Sequence, residues 1–224
     1  MVDPDRKFQR RRAKLVDILR DKGMVDERVL DAIGRVPRHR FLESAFEHRA
    51  YFDEALPIGL NQTISQPFTV ALQSFLLNPQ PREKILEIGT GSGYQAAVLC
   101  EMGAIVYSIE RHEALLRRTK QIFSDLGYRV VTWLGDGTLG WPAFAPYDGI
   151  LVTAAAADVP ESLLRQLVLP SSTTSGGRLI IPVGGADGQT MYRITRTGPD
   201  TYHTEEHGAF RFVPLIGEDG GQNI

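Results

Sequence analysis

The sequence predicts a doubly wound α/β fold with a mostly parallel sheet and a helical N-terminal extension. Three observations carry that prediction. Lys84-Ile-Leu-Glu-Ile-Gly-Thr-Gly-Ser-Gly-Tyr94 reads as a short buried strand, a glycine turn and the start of a helix. Strands and helices then alternate as they do in βαβ units. Glu110 closes the second strand, 17 residues past Gly93, where such folds place an acid to accept from ribose hydroxyls.

The N-terminal elements come first. Arg6 to Lys22 reads as an amphipathic helix, with Phe8, Leu15, Ile18 and Leu19 on one face and Gly23 as its stop. Arg10, Arg11, Arg12 and Lys14 are expected to form its solvated face rather than a nucleic-acid patch, because the chain is nearly neutral. A second helix fits Asp26 to Gly34, with Asp26 as N-cap, and stops before Val36-Pro37. Arg38 to Leu60 has no clean period, and its aromatic and apolar residues argue for a functional loop. His39 and His48 lack any metal-spaced partner, so no metal site is expected. Asn61 to Pro67 leads into a helix over Phe68 to Leu77. Ser65, just before that helix, is placed equally well for capping and for chemistry.

The central stretch follows. Ile85, Leu86 and Ile88 form the strand, and Gln95 to Glu101 the helix. Gly89, Gly91 and Gly93 stand at alternate positions between them, where a Cβ would block both the tight turn and a ligand's approach to backbone. The turn, with Thr90, is therefore the expected seat of a cofactor. Gly91-Ser-Gly93-Tyr-Gln-Ala96 also fits the dinucleotide pattern G-x-G-x-x-A. Glu87 argues against a dinucleotide, since a carboxylate just before the glycines repels a pyrophosphate. It suits a phosphate-free cofactor with a cationic amino-acid end, such as S-adenosylmethionine (SAM). The plainer reading of Glu87 is a solvated strand end.

Ile105 to Ile109 is the second strand, Glu113 to Leu126 a helix closed by Gly127, and Val130 to Leu134 the third strand. Asp136, in the loop after it, is placed to take an adenine amino group or to close an Asx-turn. Tyr147 to Val152 is the fourth strand. Thr153 and four alanines follow, small enough to leave room for a substrate or to permit tight packing. Val159 to Leu169 reads as a helix, and Arg178 to Pro182, Met191 to Thr195 and Phe210 to Leu215 as strands. Pro214 marks the last as an edge or an end. Ser171 to Gly177 reads as a mobile loop and Glu218 to Ile224 as a flexible tail. One domain is expected over 1–224, with a helical lobe over 1–60, an α/β core over 61–216 and the tail over 217–224.

Composition narrows the function. The 224 residues suffice for one full core. Twenty-five basic against 27 acidic residues leave a net charge of −2, so no global field favours nucleic acid or membrane. Cys100, the one cysteine, excludes an internal disulfide and fits a reducing compartment. Met1 to Arg12 lacks an apolar signal region, and no apolar run approaches a membrane span. A soluble, cytoplasmic monomer is expected.

With these stretches in order, the chain resembles the protein-L-isoaspartate O-methyltransferase family from about Val36 to Leu215. The resemblance is carried by Val36-Pro-Arg-His-Arg-Phe41, Leu56-Pro-Ile-Gly59, Gln62-Thr-Ile-Ser-Gln-Pro67, Glu87-Ile-Gly-Thr-Gly-Ser-Gly-Tyr94, Gly176-Gly-Arg-Leu-Ile-Ile-Pro-Val183 and Phe212-Val-Pro-Leu215. It implies a Rossmann-like methyltransferase that moves a methyl group from SAM to the free carboxylate of isoaspartyl residues, initiating protein repair. It implies a catalytic role for Ser65. It places Thr63, Ile64, Gln66, Glu87, Gly89, Glu110, Arg111, Asp136 and Gly137 around SAM, with Thr90, Gly91 and Gly93 in the turn. The partners implied are isoaspartyl peptides and proteins, not nucleic acid or membrane.

The chain departs from the family pattern at three places. Asn61 stands where glycine is usual, though asparagine tolerates left-handed geometry. Ser171 to Ser175 lengthens a normally tight turn, and the tail beyond Leu215 is glycine-rich. The alternative on the same fold is a SAM-dependent RNA methyltransferase. Against it, Thr153-Ala-Ala-Ala stands where an Asn-Pro-Pro-Tyr-like motif would be, and the charge implies no basic groove.

Overall fold

The computed structural model describes residues 4–185 and 187–220. It opens with two helices, α1 (Pro4–Asp21) and α2 (Glu27–Arg35). Asp26 caps α2 as its residue type favours: Oδ1 accepts from Arg28 N at 2.9 Å and from Val29 N at 3.3 Å. The stretch without sequence period folds as two 3-10 turns, Arg38–Phe41 and Ser44–Arg49, and then enters a hairpin. Its strands are β1 (Leu56–Gly59) and β2 (Gln62–Ile64). Leu60 and Asn61 turn the hairpin with φ of 52° and 56°, so Asn61 does take left-handed geometry.

Helix α3 (Pro67–Leu77) leads into the alternating core. In order come β3 (Lys84–Ile88), α4 (Tyr94–Glu101), β4 (Ile105–Glu110), α5 (Glu113–Leu126), β5 (Val130–Leu134) and β6 (Gly149–Val152). Then follow α6 (Glu161–Arg165), β7 (Arg178–Gly185), β8 (Gly188–Arg196) and β9 (Tyr202–Phe210). The sheet order is β5-β4-β3-β6-β7-β8-β9. The first five of these strands are parallel, and β8 and β9 add antiparallel. Connections leave β3 toward β4 on one side, while β6 returns on the other. The carboxyl ends of β3 and β6 therefore flank the switch point where such sheets bind ligands.

Alternation of side chains divides the core between the two faces of the sheet. Ile85, Val106, Leu151 and Ile180 face a cluster with α3, α4 and both N-terminal helices, including Leu15, Leu19, Leu30 and Ile33. Leu86, Ile88, Ile150 and Leu179 face the other side, packed with Tyr147, Leu163, Leu167 and Leu215.

Two expected elements change. The helix read over Val159 to Leu169 shrinks to α6, because Leu167 bridges to Tyr147 and Val168 N donates to Tyr147 O at 2.8 Å. The last strand is Tyr202–Phe210, not Phe210 to Leu215. Residues 213–215 instead run beside the loop after β6, with Ala155 N donating to Val213 O at 2.8 Å and Leu215 N to Ala155 O at 2.7 Å. Of the expected tail, residues 221–224 lie outside the described residues. Among the described residues no helix is long and apolar enough to cross a membrane, and no group of three or more His, Cys, Asp or Glu is placed to hold a metal ion.

Candidate active site

A cleft opens at the carboxyl ends of β3, β4 and β6, under the β1–β2 hairpin. Its floor is the glycine turn. Gly89 N and Thr90 N donate to Ile109 O at 2.9 and 3.1 Å, which ties the turn to the end of β4. Thr153, at the end of β6, donates its hydroxyl to Gly89 O at 2.8 Å from the opposite side. Gly93 has φ of +88°, and a Cβ there would stand 2.5 Å from Thr119 Cγ2 and 2.7 Å from Phe123 Cε1. Gly91 differs: with φ of +51°, its Cβ would meet only Ile58 Cδ1 among the described residues, at 3.5 Å, and Gly91 itself lines the cleft. Gly93 is thus needed for packing against α5 and Gly91 for what the cleft holds.

Glu110 forms the acid wall. It is buried, with Oε2 accepting from Gly91 N and Oε1 from His112 N, both at 2.8 Å. Each oxygen keeps a lone pair for a ligand hydroxyl. This arrangement tests which cofactor fits. The Gly91 N–H that a pyrophosphate would need is already donated to a carboxylate, so a phosphate there would meet a like charge. A cofactor with a ribose diol and no phosphate meets acceptors instead. The residues present therefore fit SAM.

The hairpin supplies the roof. Thr63, Ile64 and Ser65 line the cleft, and Ser65 also lines an adjoining hollow with Gln66, Phe210, Arg211 and Phe212. Thr63, Thr153 and Val213 likewise belong to both, so the two spaces meet at Ser65. Ser65 does not cap α3. Asp53 Oδ1 accepts from Phe68 N at 2.8 Å, and its carboxylate also takes Gln66 Nε2 at 3.0 Å and Lys22 Nζ at 2.5 Å. Among the described residues the Ser65 hydroxyl has no hydrogen-bond partner, so it is free to act.

Of the residues singled out in the sequence, Thr63, Ile64, Ser65, Gly89, Thr90, Gly91, Glu110, Arg111 and Gly137 come together in the cleft. Four do not. Gln66 faces the adjoining hollow and Gly93 serves packing. Glu87 is neither a strand end in water nor a cleft wall: it is fully buried beneath α4, with Ser108 Oγ at 2.5 Å from its Oε2. Its place mid-strand turns it into the sheet's helix-covered face. Asp136 closes the Asx-turn, its Oδ1 accepting from Thr138 N at 2.9 Å, and its Oδ2 accepts from Glu218 N at 2.7 Å. That second bond draws the chain beyond Leu215 across the loop, so this part of the expected tail is a strap. The cleft wall formed by Val213 to Ile216 was not among the expected site residues. The run Phe212-Val-Pro-Leu215, read as a strand, was its only signal.

Comparison with known proteins agrees with this geometry. The family model described as protein-L-isoaspartate(D-aspartate) O-methyltransferase matches residues 10–220. A protein-L-isoaspartate O-methyltransferase of Salinibacter ruber is 62% identical over 221 residues, covering 97% of this chain and 96% of that protein. One of Cytophaga hutchinsonii is 53% identical over 209 residues, covering 93% of this chain and 92% of that protein. A solved protein-L-isoaspartate O-methyltransferase superposes with a TM-score of 0.82 at 30% identity, covering 94% of this chain and 67% of that one. A Plasmodium falciparum protein assigned the same activity, solved with S-adenosyl-L-homocysteine, shares the fold at a TM-score of 0.78 and 23% identity. It covers 92% of this chain and 98% of its own. The chain belongs to the protein-L-isoaspartate(D-aspartate) O-methyltransferase family.

Proposed function

We propose that the cleft binds SAM, that the adjoining hollow takes an isoaspartyl peptide, and that the chain methylates the free carboxylate of the damaged residue. The observation that carries this reading is the place of Ser65 at the junction of the two spaces, its hydroxyl unpartnered among the described residues. When bound, SAM supplies a methyl carbon made electrophilic by a sulfonium.

The chain's own residues have a limited task. The substrate group is an α-carboxylate with a pKa of about 3.5, so it arrives ionised at neutral pH and needs no general base. Ser65 donates its O–H to that carboxylate and holds one oxygen in line with the methyl carbon. Such positioning contributes about 7–11 kcal/mol in favourable cases. Glu110 accepts from the ribose hydroxyls, and Gly91 admits the amino-acid end of the cofactor against bare backbone. Thr63, Ile64, Gly89, Thr90, Arg111 and Gly137 complete the cofactor's enclosure. Ile64, Ile88 and Leu215 thin the water around a step in which opposite charges are annihilated. In the product ester the next backbone amide nitrogen then displaces methanol to form a succinimide, which water reopens in part to normal aspartate.

The test offers labelled SAM to matched peptides carrying isoaspartate or aspartate. Base-labile label on the isoaspartyl peptide alone is the expected result. Label on both, or on transfer RNA instead, would overturn the assignment.

A further inference from the structure

Glu87 sits in the middle of the sheet and is fully buried. In register it faces Ser108 on β4 and Leu151 on β6. Ser108 Oγ lies 2.5 Å from Glu87 Oε2 and 2.6 Å from Thr90 Oγ1. Thr90 belongs to the glycine turn and lines the cleft. Three side chains thus link the sheet interior to the cofactor seat. The other Glu87 oxygen, Oε1, is buried and among the described residues has no partner within hydrogen-bond distance and angle. The titratable groups that act on Glu87 are Cys100 on α4 and Glu110 on β4, and the Ala96 backbone N–H is the one further donor that favours its charged form. None of these is a cation. An ionised carboxylate here would keep a bare oxygen in dry surroundings, beside a second carboxylate.

We propose that Glu87 is a neutral acid in the working protein, donating to Ser108, which donates in turn to Thr90, so that this relay positions the glycine turn for the cofactor. In that direction Glu87 and Ser108 each donate once, and the Thr90 hydroxyl is left to donate into the cleft it lines. Oε1 becomes a carbonyl oxygen, whose missing partner costs less than that of an anion. Burial, reinforced by the charge on Glu110, pushes the Glu87 carboxyl up to about 8 even though Ser108 and the Ala96 backbone N–H oppose the shift. The proton is therefore held at neutral pH and lost in mildly alkaline solution. Its loss reverses the relay: Ser108 must donate back to the anion, and Thr90 must then spend its own O–H on Ser108 rather than on the cleft. Glu87 is a positioning residue, acting through Ser108 and Thr90. The inference rests on reading the cleft as the SAM site.

The experiment is calorimetric binding of S-adenosylhomocysteine to the full chain between about pH 6.5 and about pH 9.5, for wild type, Glu87→Gln and Ser108→Ala. Glutamine can donate in the same direction, so Glu87→Gln matches wild type within about twofold near neutral pH. Above the Glu87 pKa, wild type falls away from Glu87→Gln by up to about tenfold per pH unit. The glutamine variant also controls for titration of the ligand's own amino group. Ser108→Ala binds more weakly throughout. A folded Glu87→Gln that has lost affinity about tenfold at neutral pH, or a pH profile parallel to wild type, overturns the relay. Carbon NMR of the labelled Glu87 carboxyl in wild type is the second measurement, and an ionised signal at neutral pH overturns it as well. If no variant binds the nucleoside, the cofactor reading fails, while the NMR arm still decides the protonation state.

Discussion

Asp53 caps α3 from 15 residues upstream, its Oδ1 accepting from Phe68 N at 2.8 Å. This contact separates two roles that Ser65 could have combined. Loss of a side-chain cap costs about 0.5–2 kcal/mol, and Asp53→Ala also removes the acceptor for Lys22 and Gln66, so the upper end is expected. Ser65→Ala should change stability by less than about 0.5 kcal/mol, as at a site without such contacts. It should lower turnover at least about tenfold while SAM affinity stays at the wild-type value. Urea unfolding and calorimetry on both variants check this. Equal destabilisation by the two substitutions would return Ser65 to a structural role.

The glycine turn makes a second prediction, because its members are constrained by different neighbours. Gly93→Ala drives a methyl group into Thr119 and Phe123 and should leave little folded protein. Gly91→Ala meets only Ile58 and strains a left-handed φ, for about 1 kcal/mol of stability. Gly91 lines the cleft, so S-adenosylhomocysteine should bind at least about tenfold more weakly to a protein that still folds. Circular dichroism with calorimetry tells the two apart. A Gly91→Ala protein that binds normally would remove the turn from the cofactor's seat.

The strap over Asp136 is the third. Asp136 holds Glu218 N, while Thr138 Oγ1 accepts from Asp219 N at 3.1 Å. Burial works against the Asp136 charge, but the Glu218 N–H and the Thr138 hydroxyl and N–H outweigh it, so its carboxyl lies below the ordinary 3.8. A depressed folded value means that this contribution is present above the ordinary pKa and lost as pH falls below it. Amide exchange at Glu218 and Asp219 should therefore be slow at neutral pH and at least about tenfold faster in Asp136→Ala. Gly217→Ala, whose methyl group would collide with the Asp136 carboxylate, should speed the same amides. Unchanged exchange in both variants would mean that the strap is not held there.

Glu87 gives the fourth, read from stability rather than binding. Its carboxyl ionises near 4.5 in the unfolded chain and at about 8 in the fold. Between those values the folded state holds a proton that the unfolded state has released. The contribution is thus whole below the lower value and declines as pH rises toward the upper one. Glu87→Gln has no such proton. Relative to it, wild type should lose up to about 1.4 kcal/mol per pH unit across that window in urea unfolding. A constant difference between the two proteins would show that Glu87 is ionised throughout.

Much of the α/β core is legible in the residues, for local reasons. Asp26 caps because its side chain reaches the next backbone N–H groups, and Gly127 closes α5 because it adopts a φ of +76° without strain. Strand β9 escaped notice because it pairs on one side only and is largely polar on both faces, so no apolar period marks it. The Asp53 cap is invisible for another reason, since it joins residues in separate elements.

Two acids, Glu87 and Glu110, mark where each kind of information ends. The chain's own order determines the strand, the three glycines and an acid at the end of the next strand, because these are demands of backbone sterics and of spacing along one βαβ unit. Tertiary structure alone decided that Glu110 meets the cleft and Glu87 does not. Sheet register and the cover of α4 send one carboxylate to the strand's open end and bury the other among neighbours distant in sequence.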